Sequence, residues 1–180
     1  YFKIGVTYSS NALEGNTLTE TETKIVIEEG ITVAGKPLKD HYEAVGHGEA
    51  YEYIYTLLDN KNFTEKDVLD LHRIFYEKVD NPNAGIYRTV PVIVTGTDHK
   101  FPPPSKLDGL MKSFVAQSAK REGECHPVEY AAMAHIDLVN IHPFVDGNGR
   151  TARTLFYFQA ILVLPWKLYL FHFQMNPVFQ

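Results

Sequence analysis

A chain of 180 residues, 44% hydrophobic and 22% charged, is a single domain with enough apolar residues to bury a core. Its net charge of −5 argues against broad binding to nucleic acid or an anionic membrane, so nucleic acid is expected only through a domain outside this chain. Cys125 is its one cysteine, which excludes an intrachain disulfide and fits a reducing, cytoplasmic compartment. The chain starts at Tyr1 without a charged-then-apolar leader and is read as a fragment.

Thr19 with Glu22 makes a capping box for a helix through Glu29, which Gly30 can end. Residues 31–40, with Gly35 and Pro37, read as a loop. Asp40 is expected to cap a helix to about Asn60, with Ala50, Tyr51, Ile54, Leu57 and Leu58 on one face. Gly46 and Gly48 weaken its start. Thr64 with Asp67 opens a further helix, in which Val68, Leu71, His72, Phe75 and Val79 recur at helical spacing. Asp80-Asn-Pro-Asn-Ala-Gly85 is a turn cluster.

Residues 87–101 change character. Val90, Val92, Ile93 and Val94 are β-branched, and Thr95-Gly96-Thr97-Asp98 supplies a turn, so a short hairpin is predicted. Pro102 to Pro104 end it. Leu107, Leu110, Met111, Phe114, Val115 and Ser118 then mark an amphipathic helix. Pro127 suits the first turn of the next helix. Along that helix Val128, Ala131, Ala132, His135, Val139 and His142 share a face. It ends at His142, because Pro143 disfavours a helical residue before it.

Residues 155–173 are the most apolar stretch, but Gln159, Pro165 and Lys167 interrupt it. A span needs about 20 uninterrupted apolar residues. The stretch is read as a buried helix followed by an irregular or extended tail, and no membrane contact is expected. An exposed aromatic tail could serve as an oligomer contact, which leaves a homodimer open. His72 and His135 lie on apolar helix faces and read as hydrogen-bonded core residues. His41 and His47 have poor spacing for a metal pair, and no zinc site is expected.

Residues 142–153 read His-Pro-Phe-Val-Asp-Gly-Asn-Gly-Arg-Thr-Ala-Arg. Gly147 and Gly149 bracket Asn148 ahead of an apolar run that begins at Leu155. Glycines at a helix entry let several N–H groups converge as an anion nest, reinforced by the positive end of the helix. Arg150 and Arg153 project from one side of the first turns, and guanidinium forks suit phosphate oxygens. Asp146 is placed to hold Mg²⁺ against the same phosphates. His142 carries the side chain best suited to general base work near neutrality. Taken singly, Gly-Asn-Gly could be a plain turn, the arginines a solvated face and His142 a helix-end cap. No Gly-Lys-Ser/Thr follows the glycines, so this is not a Walker A loop.

These residues match in full the Fic signature His-x-Phe-x-Asp/Glu-Gly-Asn-Gly-Arg-x-x-Arg, and the chain resembles a Fic-domain protein. Residues 8–19, Tyr-Ser-Ser-Asn-Ala-Leu-Glu-Gly-Asn-Thr-Leu-Thr, resemble the inhibitory segment Ser/Thr-x-x-x-Glu-Gly/Asn, here Ser10 to Glu14-Gly15. Residues 85–104, from Gly-Ile-Tyr-Arg to His-Lys-Phe-Pro-Pro-Pro, resemble the family's flap. His99 within it could touch a nucleotide or a target, or could be solvated. The resemblance implies one Fic domain over residues 1–180, an all-α helical bundle with a small β-hairpin flap. Residues 1–16 would be the inhibitory segment, 87–101 the flap hairpin and 142–153 the motif. Leu164-Pro-Trp departs from the usual family continuation.

The resemblance also implies a reaction, transfer of AMP from ATP to a Ser, Thr or Tyr hydroxyl of a target protein. His142 would be the base and Asp146 the Mg²⁺ ligand. Backbone N–H groups of Gly147, Asn148 and Gly149 would hold phosphates, with Asn148 orienting the α-phosphate. Arg150 would contact the β-phosphate and Arg153 the γ-phosphate. Glu14 would pair with Arg153 and inhibit. Self-modification is expected in such proteins. Alternatives at the same site are removal of AMP, phosphotransfer with the nucleotide reversed, or a non-catalytic nucleotide- or partner-binding module.

Overall fold

Local capping chemistry fixes several helix boundaries. The computed structural model describes residues 2–58, 62–121 and 124–163. The α-helices among them are α1 (Phe2–Ala12), α2 (Glu20–Glu29), α3 (Leu38–Thr56), α4 (Glu65–Tyr76), α5 (Leu107–Arg121), α6 (Pro127–Ile141) and α7 (Asn148–Val163). No strand occurs among the described residues. At α2 the Thr19 side chain accepts from the Glu22 N–H while the Glu22 carboxylate accepts from the Thr19 N–H, and Gly30 closes the helix at φ 65°. Thr64 and Asp67 repeat the device at α4. Each such cap contributes about 1 kcal/mol.

Three expectations are corrected. Helix α3 starts at Leu38, with Pro37 rather than Asp40 at its cap. The Asp40 carboxylate is taken instead by the Thr17 N–H at 2.7 Å and the Thr17 hydroxyl at 2.6 Å, so it fastens the turn ahead of α2. The hairpin over 87–101 does not form. The turn at Thr95-Gly96 is present, but the flanking residues form neither strand nor bridge. Pro91 has no N–H to donate to one. On α6 the buried line is Tyr130, Ala131, Ala134, Leu138 and Ile141. Of the predicted face only Ala131 is fully buried, while Val139 packs half-buried against the core.

Helix α3 touches α1, α2, α4 and α7, and α6 packs against α5 and α7. The main core joins Val6 of α1, Tyr51 and Ile54 of α3, Leu71 and Phe75 of α4, Met111 of α5, Leu138 of α6, and Leu155 and Phe158 of α7. Leu18, Val26 and Ala44 form a smaller satellite. Phe144, in the α6–α7 connection, is fully buried in the main core. One aromatic anchor thus seats the glycine-containing loop on the bundle. Among the described residues no helix is long and apolar enough to cross a membrane. The predicted tail, residues 164–180, lies outside the described residues.

Candidate active site

Helix α6 ends one residue before His142, and His142 takes φ 52°, ψ 59° as its C-cap. It is the only non-glycine with positive φ among the described residues. A left-handed L-residue costs about 1–2 kcal/mol, so surrounding contacts must hold this corner. The His142 Nδ1 lies 3.1 Å from the Val139 carbonyl oxygen. A carbonyl only accepts, so Nδ1 carries the proton and Nε2 keeps its lone pair. Burial pulls the His142 pKa below the ordinary value. The Arg88 cation adds to the fall, while the Val139 bond, Asp146 and Glu14 oppose it. The ring is therefore a neutral base at neutral pH.

The loop after His142 is held by side chains from α4 and from within itself. Asn148 donates to the Phe144 carbonyl and accepts from the Phe144 N–H, both at 2.9 Å. Gly147 adopts φ 78°, and a Cβ there would come within 3.0 Å of Phe75 and 3.2 Å of His72. Both the backbone and the close approach exclude a larger residue. His72 accepts from the Gly85 N–H on Nδ1, so its Nε2–H donates to the Asp146 carbonyl at 3.0 Å. Its ring stacks on Phe144 with centroids 3.7 Å apart. It is a hydrogen-bonded core residue as expected, and burial holds its pKa down to about 4.

The Asp146 carboxylate accepts from the Gly147 N–H at 2.6 Å and from the Tyr76 hydroxyl at 3.0 Å. Burial pushes its pKa up, but the Gly147 bond, the Arg150 charge and the Tyr76 bond outweigh this and keep it below the ordinary value. Its side chain remains 46% exposed, so an ionised oxygen faces the cleft. Arg150 lies beneath the loop with its side chain 2% exposed. Its Nη1 approaches the buried Glu43 carboxylate to 2.8 Å, an ion pair off the N–H direction, and its carbon centre sits 4.3 Å over the Phe75 ring. Arg150 is 3.6 Å from Asp146 and is not among the residues lining the cleft.

Arg153 faces the other way. Its Nη2 meets Glu14 Oε1 at 2.5 Å, its Nε donates to the Ser10 hydroxyl at 2.9 Å, and Nη2 also reaches the Ser10 carbonyl at 3.1 Å. Ser10 and Glu14 come from α1 and the turn after it. Glu14 Oε1 lies directly over Gly149, where a Cβ would meet it at 2.7 Å. The carboxylate thus occupies space in front of the helix start. Glu14, Val92, Ile93, His142, Asp146, Asn148 and Gly149 line one cleft of about 440 Å³. The structure brings His142, Asp146, Gly147, Asn148, Gly149 and Glu14 to this cleft and puts Arg153 at its edge. His99 is exposed, with its ring 4.8 Å from Phe101, and does not line the cleft.

The Fic/DOC family profile matches residues 62–160, which contain the whole of this loop and its supports on α4. The chain belongs to the Fic/DOC family. A protein adenylyltransferase Fic of Nematostella vectensis is 40% identical over 151 residues, 82% of this chain and 35% of that protein. One of Aedes aegypti is 43% identical over 151 residues, covering 82% and 30%. This Fic chain therefore spans about a third of the length of those relatives. A Fic-domain signalling protein from Bacteroides thetaiotaomicron superposes with a TM-score of 0.81 at 34% identity, covering 88% of this chain and 62% of that one. Fic-1 of C. elegans gives 0.82 at 31%, covering 88% and 48%.

Several supports of this Fic site lie beyond the motif, where sequence reasoning did not find them. Tyr76 and Glu43 hold Asp146 and Arg150 from α4 and α3. Phe101 packs its ring 4.3 Å from the His142 imidazole. Arg88 lies buried behind the corner. A polar residue on an otherwise buried helix face was the available signal for Glu43, but it named no partner. No group of three or more His, Cys, Asp or Glu among the described residues forms a metal cage. One ionised, part-exposed carboxylate beside an anion-binding helix start nonetheless fits Mg²⁺, which keeps waters and draws its remaining ligands from substrate phosphates.

Proposed function

We propose that this Fic domain transfers AMP from ATP to a hydroxyl side chain of a target protein and that Glu14 restrains it. The observation that carries the reading is the placement of the His142 imidazole, its Nε2 lone pair free, in one cleft with the N-terminus of α7. A base and an anion site in one cleft suit attack of a deprotonated hydroxyl on a bound phosphate. His142 would accept the hydroxyl proton as oxygen attacks the α-phosphorus, and pyrophosphate would leave. Backbone N–H groups at Gly147 to Gly149 would meet phosphate oxygens as charge builds.

Mg²⁺ held by Asp146 would neutralise phosphate charge. Arg150 would act from beneath, since reaching the β-phosphate would require it to leave Glu43. Asn148, with its amide committed to Phe144, would shape the nest rather than orient the α-phosphate. Arg153 is the cation left for the γ-phosphate, and Glu14 and Ser10 now hold it. ATP would have to displace that pair, which is the physical content of the inhibition. Residues 87–101 would bound the acceptor side of the cleft, with Ile93 94% exposed beside it. Glu14 also lines the cleft, which favours AMP removal as a second reading, with the carboxylate orienting water.

Intact mass after incubation with Mg·ATP tests both readings, using wild type, Glu14→Gly and Glu14→Gly/His142→Ala. The expected result is an AMP adduct strong in Glu14→Gly, weak in wild type and absent without His142. Equal adduct in wild type and Glu14→Gly would remove the inhibitory role of Glu14. Wild type stripping AMP from modified Glu14→Gly protein would support the second reading.

A further inference from the structure

Arg88 is 3% exposed and has no carboxylate partner within ion-pair distance among the described residues, an unusual state for a buried cation. Among the described residues its charge is met by main-chain carbonyls. Nε donates to the His142 carbonyl at 2.8 Å, Nη1 to that of Val90 at 3.0 Å and Nη2 to that of Pro102 at 2.7 Å. Its own backbone N–H donates to the Pro143 carbonyl at 2.9 Å. One residue therefore fastens the two successive carbonyls that leave the left-handed corner and both ends of the flap.

We infer that Arg88 is the positioning residue of the catalytic base, a clamp that holds His142 in its left-handed conformation and locks the flap against it. The inference rests on the base role given to His142 above. A planar fork suits the task, because its donors diverge toward three fixed acceptors where an ammonium offers a compact point charge. The Pro102 bond adds a second effect. It fixes the residue after Phe101, whose ring lies 4.3 Å from the imidazole. The base is thus held through its own carbonyl on one side and through its ring neighbour on the other. Without the clamp, the one hydrogen bond left on the imidazole among the described residues is that from Nδ1 to the Val139 carbonyl. The guanidinium also contributes to keeping the imidazole uncharged, alongside burial and against Asp146 of the loop and Glu14 of the α1 turn.

Two variants separate geometry from charge. Arg88→Lys keeps the cation and loses the fork, whereas Arg88→Met loses both. In the Glu14→Gly background, transfer is expected to fall roughly 10- to 100-fold in each, the size that a misplaced catalytic group commonly costs. ATP affinity, measured by calorimetry with Mg·ATP, should stay unchanged, because Arg88 touches no part of the phosphate loop beyond Pro143. NMR titration of ¹³C-labelled histidine, with His142 assigned by its loss in His142→Gln, should show the imidazole pKa rising in Arg88→Met and not in Arg88→Lys.

Arg88→Lys transferring at the parent rate would overturn the clamp. So would a loss of ATP affinity in step with the loss of transfer, since that would place Arg88 with the nucleotide. Should Arg88→Met fail to fold, the Arg88→Lys rate alone decides. Absence of transfer in the Glu14→Gly parent would mark failure of the functional reading. The clamp would then stand or fall on the ring's surroundings, with His142 ¹³C shifts in folded Arg88→Lys unmoved from the parent counting against it.

Discussion

Glu43 shows how one buried carboxylate can serve two parts of a site. Oε1 pairs with Arg150 under the loop at Gly147 to Gly149, and Oε2 accepts from the Asn16 amide at 2.9 Å, two residues past Glu14. Its backbone carbonyl accepts from Asn11 at 3.3 Å. Glu43→Ala leaves the buried Arg150 guanidinium with only the part-exposed Asp146 carboxylate, 3.6 Å away, and breaking a buried pair typically costs about 3–5 kcal/mol. Urea unfolding should report a loss of that order, and a loss below about 1 kcal/mol would mean that Arg150 finds water or another partner. Ser10 acts on the opposite arginine. Ser10→Ala removes the hydroxyl that accepts from Arg153 Nε and leaves the Glu14 bond and the Ser10 carbonyl in place. Self-modification by Ser10→Ala is therefore expected to lie between wild type and Glu14→Gly. A rate at or below wild type would show that the hydroxyl adds nothing to the restraint.

Elements were legible in the sequence where the signal is local and chemical. Thr19 with Glu22 and Thr64 with Asp67 satisfy their own backbone donors whatever surrounds them, so the starts of α2 and α4 follow from a few residues. The loop from His142 to Arg153 was legible because helix entry, glycines and charges are consecutive. The hairpin failed because β-branched side chains express packing preference and not pairing, while Pro91 and the carbonyls claimed by Arg88 work against a ladder. The buried line of α6 was only partly legible, because from Ala131 the helical period runs through Ala134 and Leu138 as well as through His135 and Val139. Tertiary partners such as Glu43 with Arg150 have no local signal at 107 positions' separation, the difference of their numbers. Helix α1 illustrates the cost of that blindness. Its Ser9-Ser10-Asn11 segment has weak helix propensity, and tertiary contacts hold it, with Val6, Thr7, Ser10 and Asn11 buried. On the proposed reading, in which Mg·ATP competes for Arg153, amides of residues 9–16 should exchange faster with saturating nucleotide than without it. Slower exchange there would mean that nucleotide tightens the segment and that Glu14 does not oppose it.

Across the whole molecule, α1, α3, α4 and α7 meet around a histidine that the proposed chemistry does not use. His47 of α3 is 1% exposed, lies 3.3 Å from the Thr7 hydroxyl of α1 and packs edge-on against Phe75 of α4. Its Nε2 has no hydrogen-bond partner among the described residues. Burial, followed by the Arg150 and Arg153 charges on α7, pulls its pKa down to about 3. The sign follows from linkage. The unfolded chain binds the His47 proton below about 6.5, and the folded chain refuses it until far lower pH. The neutral ring's contribution is thus whole above that value and is lost progressively as pH falls, at about 1.4 kcal/mol per unit from this one group. Between pH 7 and pH 5 the unfolding free energy should drop by about 2 kcal/mol on account of His47. Replacing His47 by Gln removes the titration and should flatten the slope by that amount, although the variant starts from a lower stability. An identical slope in wild type and His47→Gln would show that the site takes up a proton without penalty, for instance by admitting water to Nε2. If the slope does flatten, acid acts at the junction that docks α1. The helix carrying Ser10 would then be among the first parts of the fold to loosen, before the caps of α2 and α4 feel any change.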